Sequence, residues 1–220
     1  MDYPEFRRRF GASVRRKHIR KPGLPFFDKK VRKNKKPYGL PATSEIALDF
    51  IWLDPWEAEY LFILAKRARL GIVETGRVHG GSTFLMACAN DHAPIHSIDI
   101  APQDDAGLTG ILDKAGVGRN VNLIVGDSRK TRYEAIKAFD MLFIDGDHSY
   151  EGCTDDLENW FPMLEPGGHL VLHDSYHGSP VMEAVEDFRR RHAVDAIVPP
   201  LRPSNHWDHY AGSLAHLVKR

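Results

Sequence analysis

Residues 139–174 read FDMLFIDGDHSYEGCTDDLENWFPMLEPGGHLVLHD. An apolar strand ends in Asp145, Asp147 and His148, a helix and a Pro-Gly-Gly turn follow, and a second apolar strand ends in His173-Asp174. In an open parallel α/β sheet the ligand crevice lies beyond the carboxyl ends of the strands, so charge at two strand tips marks a site.

The same alternation extends on both sides. Upstream are the strand GIVET (71–75), a helix over 82–90, the strand IHSIDI (95–100), a helix over 107–115, the strand VNLIVGD (121–127) and a helix over 132–138. Downstream, Ser179 and Pro180 open another helix, and DAIVPPLRPS and SLAHLVKR read as two strands joined by a long loop. Prolines favour an edge position for the first of these. Continuous apolar strands separated by helices predict a Rossmann-like, seven-stranded, mainly parallel sheet covered on both faces, with the last strand antiparallel. Ahead of it, Asp54 caps a helix from Pro55 to about Leu70, with Trp56, Tyr60, Ile63 and Leu64 on the face turned to the sheet.

No run approaches the roughly 18 apolar residues of a membrane span, and no apolar stretch follows the basic residues of MDYPEFRRRFG, which sets a cytoplasmic expectation. Cys88 and Cys153 are the two cysteines, too few for a thiolate zinc site and placed as buried fillers. Twelve histidines are scattered without an HExxH pattern. Zero net charge hides an asymmetry: residues 1–38 carry 14 Lys and Arg against three acids. Residues 1–40 therefore read as a basic arm and 41–220 as the folded domain. Phe6, Phe10 and Val14 suggest a short amphipathic helix in the arm. Such an arm can dock on the acidic body, on phosphates or on a membrane surface, and Phe26 and Phe27 permit its exchange between subunits of a homo-oligomer.

Between the first strand and its helix the chain reads ETGRVHGGST (74–83). Glycines allow a tight turn and close approach to a ligand, and the helix start offers free N–H groups. The stretch is neither GxGxxG nor GxxxxGK[ST], which disfavours a dinucleotide or a triphosphate. Asp99 ends the second strand, where a carboxylate can hold ribose hydroxyls or cap a helix. Gly126-Asp127-Ser128 ends the third and can cap a helix or hold a base edge.

Taken in order, ETGRVHGGST, IDI, VGDS, FIDGDHSYEG and LEPGGHLVLHD resemble the class I S-adenosylmethionine-dependent methyltransferases over residues 68–220. The nearest subgroup comprises macrocin O-methyltransferase-like and cephalosporin hydroxylase-like enzymes. That resemblance implies a cofactor site in which Glu74, Gly76, Gly81, Ser82 and Thr83 surround the methionine part, Asp99 the ribose, Asp127 and Ser128 the adenine, and Asp145 the reactive methyl. It implies methyl transfer to a hydroxyl of a small molecule or sugar. A polynucleotide acceptor engaged by the arm, or a non-catalytic subunit of the same fold, are its rivals.

Methyl transfer to a hydroxyl needs alignment and removal of a proton. Asp145, His148 and His173 are the catalytic candidates, with His177 a further base. Asp145 and Asp174 are the candidate oxygen ligands of Mg²⁺. Metal-dependent relatives carry a third oxygen donor, where this chain has His173 and Ser175. His173 could equally be a strand residue packed under the next helix. Arg77 and His79 could meet an anionic substrate or sit in a solvated loop. The polar, aromatic stretch Asn205–Tyr210 could line the acceptor pocket or form a hairpin tip around Trp207.

Overall fold

The computed structural model describes residues 50–130, 133–197 and 213–220. The expectations for the arm and its boundary at residue 40, and for Asn205–Tyr210, lie outside them.

Helix α1 (Pro55–Arg67) precedes a β/α alternation: β1 (Ile72–Thr75), α2 (Gly81–Ala89), β2 (Ile95–Asp99), α3 (Asp105–Ala115), β3 (Val121–Val125), β4 (Phe139–Ile144), α4 (Tyr150–Trp160), β5 (Leu164–Leu172), α5 (Pro180–Arg191), β6 (Val194–Ile197) and β7 (Ala215–Lys219). A single sheet has the order β3-β2-β1-β4-β5-β7-β6. Strands β1 to β5 are parallel, and β7 runs antiparallel to both β5 and β6. The seven-stranded, mainly parallel sheet with an antiparallel last strand is thus as expected, with β6 at an edge.

Alternation along each strand loads both faces. Ile72, Ile95, Met141, Phe143 and Val171 face α1, α2 and α3, while Val73, Ile98, Leu142, Leu170 and Leu172 face α4 and α5. Cys88 and Cys153 are buried and not joined in a disulfide, and burial pushes the Cys153 thiol up to about 12.

Three local expectations are corrected. Residues 133–138 form turns instead of a helix, because Tyr133 stacks on Trp160 and Ile136 is buried, contacts that override helical propensity. The Pro-Gly-Gly stretch lies within β5, whose pairing with β4 jumps from Phe139↔Leu164 to Met141↔His169, a bulge that absorbs the turn. On α1, the buried face runs through Ala58, Leu61, Phe62, Leu64 and Ala65, and Ile63 is exposed. Leu64 and the partly buried Tyr60 pack on the core as expected, and Ile63 is the residue that turns outward.

Three bonds bring the strand tips together: Gly76 N–H donates to Ile98 O (2.8 Å), Asp145 N–H to Thr75 O (2.8 Å) and His173 N–H to Ile144 O (3.0 Å). Strands β1 and β4 are neighbours while their connections leave in opposite directions, which is the switch point where such sheets open a crevice.

Candidate active site

Gly76 leaves β1 at φ 81, and a Cβ there would stand 2.2 Å from Asp145 O, so both dihedral and close approach require glycine. Asp99 organises the loop that follows. Its Oδ2 accepts the N–H groups of Arg77 (2.8 Å) and Val78 (2.9 Å), and its Oδ1 accepts that of Ala101 (2.8 Å). Gly80, the N-cap of α2, lies in the left-handed region and gives no side-chain cap, and Gly81 and Ser82 of the first turn line the cleft.

Gly76, Gly81, Ser82 and Asp145 line a cleft closed on one side by Phe50, Trp52 and Leu53. Glu74 and Thr83 do not face it. Both are fully buried: Glu74 accepts hydroxyl bonds from Ser82, Thr83 and Ser97, the last at 2.6 Å. They tie β1 to α2 next to the cleft-lining Ser82. Burial raises the Glu74 pKa against those hydroxyl bonds.

Arg77 lies in the cleft-lining loop, but its side chain turns inward. Its guanidinium is fully buried, gripped by Asp105 (2.7 and 2.6 Å) and donating to Ser97 O (2.7 Å) and Ile124 O (2.9 Å). It clamps the ends of β2 and β3 to α3, which corrects both readings of that residue. His79 packs edge-on against Trp52, ring centroids 5.0 Å apart.

On the β3 side, Asp127 pairs with Arg129 (2.9 Å) and Lys130 (3.2 Å), and the Arg129 guanidinium holds its carboxyl well below the usual range. Arg129 also reaches Asp147 at 2.9 Å. Ser128 offers its carbonyl to Trp160 Nε1 (3.0 Å) and Asn159 Nδ2 (2.6 Å), pinning the loop from below. Asp147 caps the turn into α4 by accepting Ser149 N–H at 2.9 Å.

At the β4 and β5 tips, Asp145 Oδ1 is shared by two imidazoles, His173 Nδ1 at 3.0 Å and His148 Nε2 at 3.4 Å. His148 Nδ1 is 3.2 Å from Asp174 Oδ2. Asp174 adopts φ 53, a left-handed conformation unusual outside glycine, which aims its carboxylate at His148. The other nitrogen of His173, Nε2, lies 3.2 Å from Glu57 Oε2. Burial acts against the charged form of His173, yet Asp145 and Glu57 raise its pKa well above 6.5. Burial likewise opposes the Asp145 charge, but His173 and His148 hold its pKa below 3.8. The hydrogen bond to Asp145 raises the His148 pKa against partial burial. Asp145, His148 and Asp174 each present one ligand atom, all within 4.8 Å of one another. His177 stands on the exposed turn before α5.

Two residues of this site escape a reading of the sequence. Glu57 carries a local signal, the N3 position of a capping box in which Asp54 N–H donates to Glu57 Oε2 at 2.8 Å. Asp156 is buried in α4, accepts Thr75 Oγ1–H at 2.8 Å, and is pushed by burial up to about 6.

Residues 73–175 match a family described as a methyltransferase domain (Methyltransf_24). The chain is 36% identical over 78 residues to an 8-demethyl-8-(2,3-dimethoxy-alpha-L-rhamnosyl)-tetracenomycin-C 4'-O-methyltransferase of Streptomyces olivaceus, an alignment covering 35% of this chain and 29% of that one. It is 35% identical over 132 residues to the uncharacterized protein R132 of Acanthamoeba polyphaga mimivirus, covering 53% and 58%. The chain thus spans less than two-thirds of the length of these curated relatives. The O-methyltransferase TomG of Streptomyces achromogenes, solved in complex with SAM, superposes with a TM-score of 0.60 at 19% identity over 77% of this chain and 82% of that one. The methyltransferase-domain match thus covers slightly under half of the chain, and it falls on the central strands of the sheet described above.

Proposed function

We propose that the chain transfers the methyl group of S-adenosylmethionine to a hydroxyl of a small molecule or sugar, with His148 as the general base. The observation that carries this reading is the convergence of Asp145, His148 and Asp174 at the tips beside the glycine-lined cleft. Gly76, Gly81 and Ser82 would hold the methionine end, Asp99 the ribose, and Asp127 with Ser128 the adenine. Asp99 retains lone pairs beyond the three N–H groups it accepts, since a carboxylate takes about four hydrogen bonds.

In the transfer, a lone pair of the acceptor oxygen forms the new O–C bond as the S–C bond breaks, and the electron pair returns to sulfur as a neutral thioether. The acceptor proton goes to His148 Nε2. Asp174 beside Nδ1 favours the tautomer with Nδ1–H, which leaves Nε2 free to accept, and the long 3.4 Å contact to Asp145 is readily exchanged for a hydroxyl. His173 suits the base role less well, because its side chain is 12% exposed against 50% for His148, and its contact to Asp145 is the shorter one, 3.0 Å against 3.4 Å.

The donor set supports a second reading in which Asp145, His148 and Asp174 bind a divalent cation. One imidazole with two carboxylates fits a first-row transition ion or zinc better than Mg²⁺. Bound there, the ion would polarise the acceptor hydroxyl. Hydroxyl specificity draws on the O-methyltransferase names of the tetracenomycin and tomaymycin relatives. A polynucleotide acceptor engaged by the basic arm is the weaker alternative.

Calorimetry with S-adenosylmethionine tests the cofactor assignment. Micromolar binding to wild type, weakened at least tenfold in Asp99→Asn, supports it. Absent binding, or equal affinity in the variant, rejects it.

A further inference from the structure

We infer that Glu57, outside the family-matched segment, is a positioning residue that sets the His173 ring and, through it, the Asp145 carboxylate at the reacting end of the site. This inference rests on the methyl-transfer reading above and deepens it.

Glu57 joins three parts of the chain at one buried point. It is 3% exposed on the first turn of α1. Its Oε2 accepts Asp54 N–H at 2.8 Å, which closes the helix start, and the same oxygen faces His173 Nε2 at 3.2 Å. Its Oε1 accepts the N–H of Ser213, and Ser213 Oγ–H at 3.1 Å. Ser213 O in turn accepts Ser175 N–H at 2.6 Å, two residues beyond His173. The carboxylate therefore fixes both the backbone that follows β5 and the imidazole that β5 carries.

A capping role alone needs one oxygen and no burial. Here the cap fixes the Glu57 rotamer, and the fixed rotamer leaves two further acceptor directions, one toward β7 and one toward His173. With Nε2 held by Glu57, the imidazole plane is set, and Nδ1 meets Asp145 Oδ1 at 3.0 Å. Asp145, which lines the cleft, is thereby held from behind. An acid-imidazole-acid series in which the outer group orients the inner one is a common way to fix a reacting side chain.

The experiment compares full-length wild type with Glu57→Gln and Glu57→Ala, using His173→Gln to assign the ring signals. Proton-nitrogen NMR of the imidazoles should show an exchange-protected His173 N–H in wild type that is lost in Glu57→Gln. Gln keeps the size of the side chain and one acceptor oxygen, so folding by circular dichroism and the affinity for S-adenosylhomocysteine should hold. Methyl transfer to catechol or methyl rhamnopyranoside, whichever wild type methylates faster, should drop in kcat by about 10–100-fold with little change in KM for the donor.

Retention of the protected N–H in Glu57→Gln, or wild-type kcat in that variant, overturns the inference. Should wild type fail to bind S-adenosylhomocysteine, the methyl-transfer reading fails, while the N–H signal still decides whether Glu57 sets His173.

Discussion

His148 Nδ1 stands 3.2 Å from Asp174 Oδ2, and Asp174 makes this contact with its backbone at φ 53. A non-glycine residue in that region is held there by its surroundings, at a cost on the order of 1–3 kcal/mol. The strain at the β5 tip and the imidazole at the β4 tip thus belong to one arrangement.

If His148 accepts the acceptor proton, His148→Gln should lower kcat by about 100-fold or more while donor affinity stays unchanged. The pH profile follows with a definite sign. The base works as neutral imidazole, and Asp145 raises its pKa above 6.5, so the rate should fall as pH drops through that raised value. Initial rates between pH 5 and about 9 check this; a flat profile speaks against His148.

Arg77→Ala should destabilise the fold by about 3–5 kcal/mol, since it strands Asp105 and leaves two strand-end carbonyls without their donor. Urea denaturation measures this. Arg77→Lys should rescue little, because one ammonium cannot reproduce the bidentate grip on Asp105 together with two carbonyl bonds.

Gly76→Ala should abolish donor binding and lower the melting temperature. Its Cβ would overlap the Asp145 carbonyl, and a positive φ is strained for alanine. Gly110→Ala, in α3 with open space around it, is the control and should be neutral or slightly stabilising.

Acid stability should depend on a core chain on the α1 face: Tyr60 OH to His216 Nδ1 (2.7 Å), and His216 Nε2 to His169 Nδ1 (2.9 Å). Burial lowers the His216 pKa from 6.5 to about 4. The unfolded chain therefore binds a proton that the folded chain refuses, so stability is complete above pH 6.5 and declines as pH falls toward 4. At roughly 1.4 kcal/mol per unit, the loss approaches about 3 kcal/mol. His173 acts in the opposite direction, stabilising below pH 6.5 and losing that contribution as pH rises through its raised value. Denaturation midpoints of His216→Gln should be flatter between pH 4 and about 6.5 than those of wild type.

The strands and their loops were legible because each strand is a continuous apolar run and each tip carries polar residues of fixed spacing. Asp145, His148 and Asp174 could be named as candidates from that pattern. Arg77 could not be assigned, because its partner Asp105 lies 28 residues away and a lone arginine in a loop resembles a solvated one. Glu57 was hidden by its own local explanation: the sequence Asp-Pro-Trp-Glu accounts for a helix cap, and nothing local signals a contact with His173, 116 residues distant. The 133–138 turns were misread because the stacking of Tyr133 on Trp160 is a tertiary fact. On α1, Leu64 and Tyr60 pack on the core as expected, while Ile63 falls outside a packed face centred on Ala58, Leu61, Phe62 and Ala65.

The central claim is tested most directly by incubating the full chain with trideuteromethyl S-adenosylmethionine and an acceptor set spanning methyl rhamnopyranoside, catechol, a primary amine and RNA, followed by mass spectrometry and NMR of the products. The account predicts the deuterated methyl on an oxygen of a small-molecule acceptor, dependent on His148. Label on RNA or on nitrogen, or oxygen labelling that survives His148→Gln undiminished, would contradict it.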